Sequence, residues 1–171
     1  QASMVLAQRG WRMLATDFSR TATRLALENA RDSRLPVFPF VADSTRPLPV
    51  RPGCVLLVID NHVRHCLVDP DDRAAFLRSA FDALYPGGVM YSTNMTSEDG
   101  IDLDKLDIDP TTRTARNGTR YLATREELVR EFRDTGFEIL YCGLAPDPTK
   151  PGVNPTSAEI VARRHSSLRG S

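Results

Sequence analysis

The sequence has no net charge, because 22 Lys and Arg residues balance 22 Asp and Glu. That balance removes the electrostatic basis for binding nucleic acid or an anionic membrane surface. No apolar run approaches the ~20 residues that span a bilayer. The first residues lack the basic segment and apolar stretch of a secretory signal. Cysteine is scarce: Cys54, Cys66 and Cys142 are odd in number and scattered, which argues against a disulfide framework and suits a reducing cytoplasm. Internal repeats and low-complexity segments are absent. So are the Gly-x-Ser-x-Gly elbow of serine hydrolases, the lysine-bearing phosphate loop of nucleotide triphosphatases and the Gly-x-Gly-x-x-Gly of nicotinamide-binding folds.

What remains is an ordinary soluble composition, 41% hydrophobic and 26% charged over 171 residues, enough chain for one domain with a substantial core. The pattern alternates helices and strands. Residues 2–9 (ASMVLAQR) read as the end of a helix stopped by Gly10. Trp11 to Thr16 reads as a buried strand ending at Asp17, and Ser19 caps a helix over TATRLALENARD. VFPFV (37–41) is a strand that Pro39 pushes toward a sheet edge. Pro47, Pro49 and Pro52 stiffen the loop that follows. CVLLVID (54–60) is apolar without alternation, as expected of a parallel strand covered on both faces. Pro70 opens a helix through RAAFLRSAFDALY, where Leu77, Phe81 and Leu84 share one face. Pro86-Gly87-Gly88 then leads into the strand VMYSTNM. Residues 97–120 form an excursion of mixed short elements. Thr124-x-x-Glu127 is a capping box for a helix stopped by Gly136. Phe137–Cys142 and Ala158–Arg164 are the last two strands. This order predicts an α/β, Rossmann-like fold with a mostly parallel sheet and helices on both faces. Residues 1–164 make up that α/β domain. Residues 165–171 are a tail whose closing RGS has the look of a tag remnant.

Ligands of an open α/β sheet bind beyond the carboxyl ends of its strands. Three predicted strands end on or beside an acid there: Asp17, Asp43 and Asp60. A carboxylate can accept both hydroxyls of a ribose or a proton of an exocyclic amine, although an acid at such a place also serves as a helix cap or turn residue. Asn61, His62 and His65 follow the third strand, and histidine is the usual proton-transfer side chain near neutral pH. His62, His65 and Cys66 lack a fourth ligand at zinc spacing, so no metal is expected. DLDKLDIDP (102–110) lacks the central glycine and terminal glutamate of a calcium loop and reads as a solvated acidic turn. Ser92, Thr93 and Asn94 at a strand end either contact substrate or satisfy local backbone groups.

Taken in order, RGWRMLATDFSRTATRLA, VADSTRPLP, VLLVIDNHVRHCLVDPDDRAAFLRSAFDALYPGGVM and RYLATREELVREFRDTGFEIL resemble the class I S-adenosylmethionine-dependent methyltransferases, especially small bacterial ones. The resemblance covers nearly the whole chain. It implies S-adenosylmethionine as cofactor and methyl transfer to a small-molecule acceptor, with no nucleic-acid or membrane partner. It matches Asp17, with Phe18 and Ser19, to the acid that binds the ribose hydroxyls. Asp43, with Ser44, matches the acid near the adenine amine. Asp60, Asn61 and His62 match the segment at the methionine end that faces substrate, with His65 one turn on, so His62 and His65 are the catalytic candidates. The family's first strand and glycine-rich turn have no counterpart in this sequence. In the family that strand lies mid-sheet, so the resemblance implies that a preceding segment, a second chain or a strand-exchanged copy completes the sheet. The absent turn also favours a second reading, a catalytically inactive methyltransferase-like subunit that binds or stabilises a partner chain.

Overall fold

The computed structural model of the chain describes residues 2–98, 102–145 and 157–165. The chain divides into two units, Gln1–Pro49 and Val50–Ser171, and the boundary falls within the proline-bearing loop.

In the first unit, helix α1 (Ala2–Gln8), strand β1 (Met13–Asp17), helix α2 (Arg20–Asp32) and strand β2 (Val37–Val41) follow one another. β1 starts two residues later than the pattern suggests and includes Asp17. The strands pair in parallel, from Met13 opposite Val37 to Asp17 opposite Val41. α2 begins where expected, because the Ser19 hydroxyl accepts from the Ala22 N–H at 3.2 Å and satisfies an orphan donor of the first turn. Its inward face, with α1, closes a small core of Ala7, Ala30 and Val37 packed by Met4, Met13, Ala15 and Leu35. Pro39 stands opposite Ala15 in a strand with one partner among the described residues, where its missing N–H is tolerated.

The second unit holds β3 (Val55–Asn61), α3 (Pro70–Ala83), β4 (Leu84–Met95), α4 (Arg125–Thr135), β5 (Phe137–Ala145) and β6 (Ser157–Arg164). Its sheet has the order β3-β4-β6-β5. β3 and β4 are parallel, whereas β6 runs antiparallel to both β4 and β5. This sheet is thus mixed, with its parallel pair at β3–β4, whereas the two-stranded sheet β1–β2 is parallel. The alternation of apolar and polar residues along β6, whose burial alternates in step, is the sequence mark of the antiparallel part. Leu77, Leu84, Met90, Leu128, Phe132 and Ile160 are fully buried at the heart of the core.

The helix predicted to run through Tyr85 stops at Ala83. Tyr85 precedes a proline, which disfavours helical backbone there, and Leu84 is already extended with φ −67° and ψ 138°. Pro86-Gly87-Gly88 therefore lies inside β4, where the pairing with β3 shifts register between Val55–Leu84 and Leu57–Val89. A Cβ on Gly88 would lie 2.8 Å from the Tyr85 carbonyl oxygen and 3.1 Å from that of Leu56, so this bulge requires glycine. The capping box of α4 forms in full: Thr124 accepts from Glu127 N–H and the Glu127 carboxylate accepts from Thr124 N–H. Gly136 ends the helix in the left-handed region at φ 106°, as its place in the sequence predicts.

The described part of the 97–120 excursion consists of turns with isolated bridges, Ile108 to Ala115 and Thr114 to Tyr121. It encloses a small core of its own, Ile108, Ala115 and Leu122, backed by Met95, Leu103 and Leu106. Among the described residues no helix is long and apolar enough to cross a membrane.

Candidate active site

In the first unit, parallel pairing brings the carboxyl ends of β1 and β2 to one edge of the two-stranded sheet. Asp17 closes β1, and Asp43 lies two residues beyond Val41, its partner in register. Both acids are exposed. Asp17 Oδ1 accepts from the Ser19 N–H at 2.8 Å, which fixes the carboxylate and leaves Oδ2 without a partner among the described residues. Phe18 beside it is 83% exposed. Asp43 Oδ1 accepts from the Thr45 hydroxyl at 2.7 Å and the Thr45 N–H at 3.0 Å. Those two bonds, the hydroxyl first, hold its carboxyl below the usual range. Arg46 Nε lies 3.7 Å from Asp43 Oδ2. Ser44 is half-buried beside it.

In the second unit, Asp60 turns inward rather than toward a ligand. It is 2% exposed. Its Oδ1 accepts from Val63 N–H at 2.8 Å and Arg64 N–H at 3.4 Å, and its Oδ2 accepts from the Ser92 hydroxyl at 2.6 Å. With both oxygens engaged within the protein, Asp60 organises the turn after β3, whereas the resemblance places it at the methionine end of the cofactor. Burial pushes its carboxyl above the ordinary value despite those bonds. The turn it holds exposes Asn61 and His62. His62 is in the left-handed region at φ 71°, uncommon for a residue with a side chain but more accessible to His than to branched residues.

His65 is also placed differently from its catalytic expectation. It is 4% exposed, its Nδ1 accepts from Met95 N–H at 3.4 Å, and its carbonyl accepts from Tyr121 N–H at 2.8 Å. Its ring meets that of His62 edge-on with centroids 5.2 Å apart. Burial first, then the positive charges of His62, Arg120 and Arg64, lower its pKa to about 4. A neutral ring bonded through Nδ1 joins β3, β4 and the excursion and makes a poor base. The linkage follows in sign. The folded state binds this proton more weakly than the unfolded chain, so the stabilising effect is complete above pH ~6.5 and is lost as pH falls toward 4. Comparing wild type with His65→Gln by denaturant unfolding at pH 7 and pH 4.5 should show wild type losing about 2–3 kcal/mol more. Equal losses would remove His65 as the titrating group. The comparison isolates His65 from Asp60, whose raised pKa acts in the opposite sense: its contribution is complete below the ordinary carboxylate value and is lost as pH rises past the folded one.

A buried polar chain runs back from the turn. Asn94 donates to the Ser92 hydroxyl at 2.9 Å and accepts from Arg64 Nη1 at 3.4 Å. Arg64, with no solvent exposure, pairs through Nη2 with Glu131 of α4. Glu131 also accepts from Arg73 Nε at 3.1 Å. Arg73 in turn donates to the carbonyls of Leu67 and Val68 and covers the Tyr121 ring at 4.1 Å. Sequence reasoning assigned Arg64, Arg73 and Glu131 no role, and Ser92 and Asn94 prove to face this interior chain. The available signal was an arginine in the first turn after a fully apolar strand, a position that calls for a counter-ion. His62, His65 and Cys66 do not form a metal centre: among the described residues no group of three His, Cys, Asp or Glu is placed to hold an ion.

Two acids at the carboxyl end of a parallel strand pair stand where open α/β sheets place their ligand-binding groups. Residues 1–88 match the model of a family described as the methyltransferase domain. The chain belongs to that family. This methyltransferase domain has the class I S-adenosylmethionine-dependent fold. An S-adenosylmethionine-dependent methyltransferase from Methanosarcina mazei superposes with a TM-score of 0.81 over 95% of this chain and 86% of that one, at 21% identity. The 1,6-didemethyltoxoflavin-N1-methyltransferase of Burkholderia thailandensis, solved with 1,6-didemethyltoxoflavin and S-adenosylhomocysteine bound, gives 0.75 over 96% and 66%, at 16% identity. The (4+2)-cyclase SpnF gives 0.76 over 96% and 70%, at 17% identity, so the fold by itself does not dictate methyl transfer. No curated protein matches the chain in sequence.

Proposed function

We propose that this methyltransferase domain binds S-adenosylmethionine and transfers its methyl group to a small-molecule acceptor in the cytoplasm. The observation that carries the reading is Asp17: an exposed carboxylate at the tip of β1, pinned through one oxygen by Ser19 N–H and open at the other. Such a group fits a ribose diol. In this reading Asp17, with Phe18 and Ser19, holds the ribose, and Asp43 with Ser44 lies on the adenine side. Asp43 has Oδ1 taken by Thr45, so the amine would approach Oδ2, which it would share with Arg46 at 3.7 Å. Asn61 and His62 border the methionine end, and Asp60 keeps their turn in shape from inside. When bound, the cofactor supplies an electrophilic methyl group on a sulfonium, and the protein's task is mainly alignment of the acceptor's nucleophile. His62, exposed and held at a fixed backbone angle, is the residue to take a proton from a hydroxyl acceptor.

The same reading includes a strand from outside these residues. β3 has β4 on one side and no strand on the other among the described residues, and Leu56 within it is 63% exposed. A strand from a preceding segment, a second chain or an exchanged copy would pair with that edge and satisfy its open backbone groups.

Calorimetry with S-adenosylmethionine and S-adenosylhomocysteine, on this chain and on a form extended at its amino end, tests the proposal. Binding is expected, strengthened in the extended form. Asp17→Ala should weaken it by about 1–3 kcal/mol, the cost of hydroxyls left unmet. Absence of binding by both forms would replace the enzyme with a partner-stabilising subunit.

A further inference from the structure

At the turn after β3, Asp60 is buried with both oxygens taken, and the exposed acid of the segment, Asp69, is engaged at the start of α3, where it accepts from the Asp71 N–H at 2.8 Å. Beside Asp60, Asn61, His62, Val63 and Cys66 face solvent. The excursion brings a cation to this place by its backbone. Tyr121 N–H donates to the His65 carbonyl at 2.8 Å, and the Arg120 carbonyl accepts from Ala115 N–H at 2.8 Å. Residue 120 is therefore pinned beside the turn while its side chain is exposed. The Arg120 charge acts on both His65 and Cys66.

The arginines around it are occupied. Arg113 pairs with Glu127, Arg116 with Asp107 at 3.3 Å and Arg125 with Glu98 at 2.6 Å. Arg120 has no carboxylate partner among the described residues. A guanidinium offers two parallel N–H donors that match a carboxylate in one plane. Here it is backed by a backbone fixed on two sides, which limits the ordering cost of a contact.

We propose that Arg120 is a specificity residue and that the methyl acceptor is a carboxylate-bearing small molecule, its acid gripped by Arg120 with its body against His62. The two parallel N–H donors of a single guanidinium match a monoanionic carboxylate in one plane. The acceptor assignment rests on the methyltransferase reading; the carboxylate site itself does not.

The test is an NMR titration of the chain with benzoate, benzamide and phenyl phosphate, following the His62 ring and Arg120 side-chain signals, with and without S-adenosylhomocysteine. Benzoate should shift both saturably and bind about tenfold more tightly than benzamide, which has the same ring without the charge. Arg120→Gln should abolish the preference and Arg120→Lys restore part of it, with melting temperatures unchanged because the side chain is exposed. Equal binding of benzoate and benzamide, or a preference that survives Arg120→Gln, would overturn the proposal. Tighter binding of phenyl phosphate than benzoate would overturn the choice of carboxylate. Calorimetry on the same samples separates the two readings. A benzoate preference without S-adenosylhomocysteine binding removes the enzyme and keeps the carboxylate site. The reverse keeps the enzyme and removes the acidic acceptor.

Discussion

Glu131→Gln is expected to destabilise the second unit by about 3–5 kcal/mol, the cost of stranding a buried charge. The substitution keeps the shape of the side chain and removes the charge that two arginines share. Arg64 has no solvent exposure and takes its main compensation from Glu131. Burial already works against its charge, and Arg73 nearby adds repulsion. Arg73 would keep the Leu67 and Val68 carbonyls and its stack on Tyr121, whereas Arg64 would keep Asn94 as its remaining side-chain hydrogen-bond partner. The loss therefore falls on Arg64 and, through Asn94 and Ser92, on the Asp60 turn. Denaturant unfolding at two salt concentrations checks this. The loss should persist at high salt, since a buried pair is weakly screened, and a loss below 1 kcal/mol would mean that Arg64 does not depend on Glu131.

Phe132→Ala is expected to cost about 3–5 kcal/mol through the cavity it leaves. Phe132 is fully buried, its ring 5.4 Å from that of Phe137, which in turn meets Phe81 edge-on at 5.0 Å. This aromatic row ties α4 to β5 and α3, so the site cannot readily collapse around the gap. A lowering of the melting temperature on the order of 10–20 °C is expected for a unit of this size. Phe132→Leu should cost clearly less, since it restores most of the volume. Equal effects of the two would show that packing around residue 132 is loose.

The elements that were legible in the sequence are those whose signals are local. Ser19, Thr124 with Glu127, and Gly136 act within a turn or two of themselves, and each does in the structure what its position implies. The acids at the strand tips were legible as positions, and their chemistry was not. Asp17 and Asp60 look alike in sequence, yet one faces solvent and the other is closed off by Ser92, 32 residues away. His62 and His65 likewise separate into an exposed ring and a buried one. The Arg64–Glu131 pair spans 67 residues: the place of Arg64 after an apolar strand calls for a counter-ion, but nothing local says which acid supplies it. The end of α3 was misplaced because Leu84 and Tyr85 continue the helical pattern, while Pro86 and the close approach at Gly88 decide for a strand.

The excursion's private core has a kinetic consequence. Ile108, Ala115 and Leu122 enclose their own contacts, and amides such as those of Ala115, Tyr121 and Leu122 are bonded outside any helix or strand. In hydrogen–deuterium exchange these three should be protected as one group, opening together at a free energy below that of the sheet. Acidification that protonates His65 should lower that group's protection through the Tyr121 bond to the His65 carbonyl. The stretch with the least regular structure would then respond to the ligand mouth as a unit.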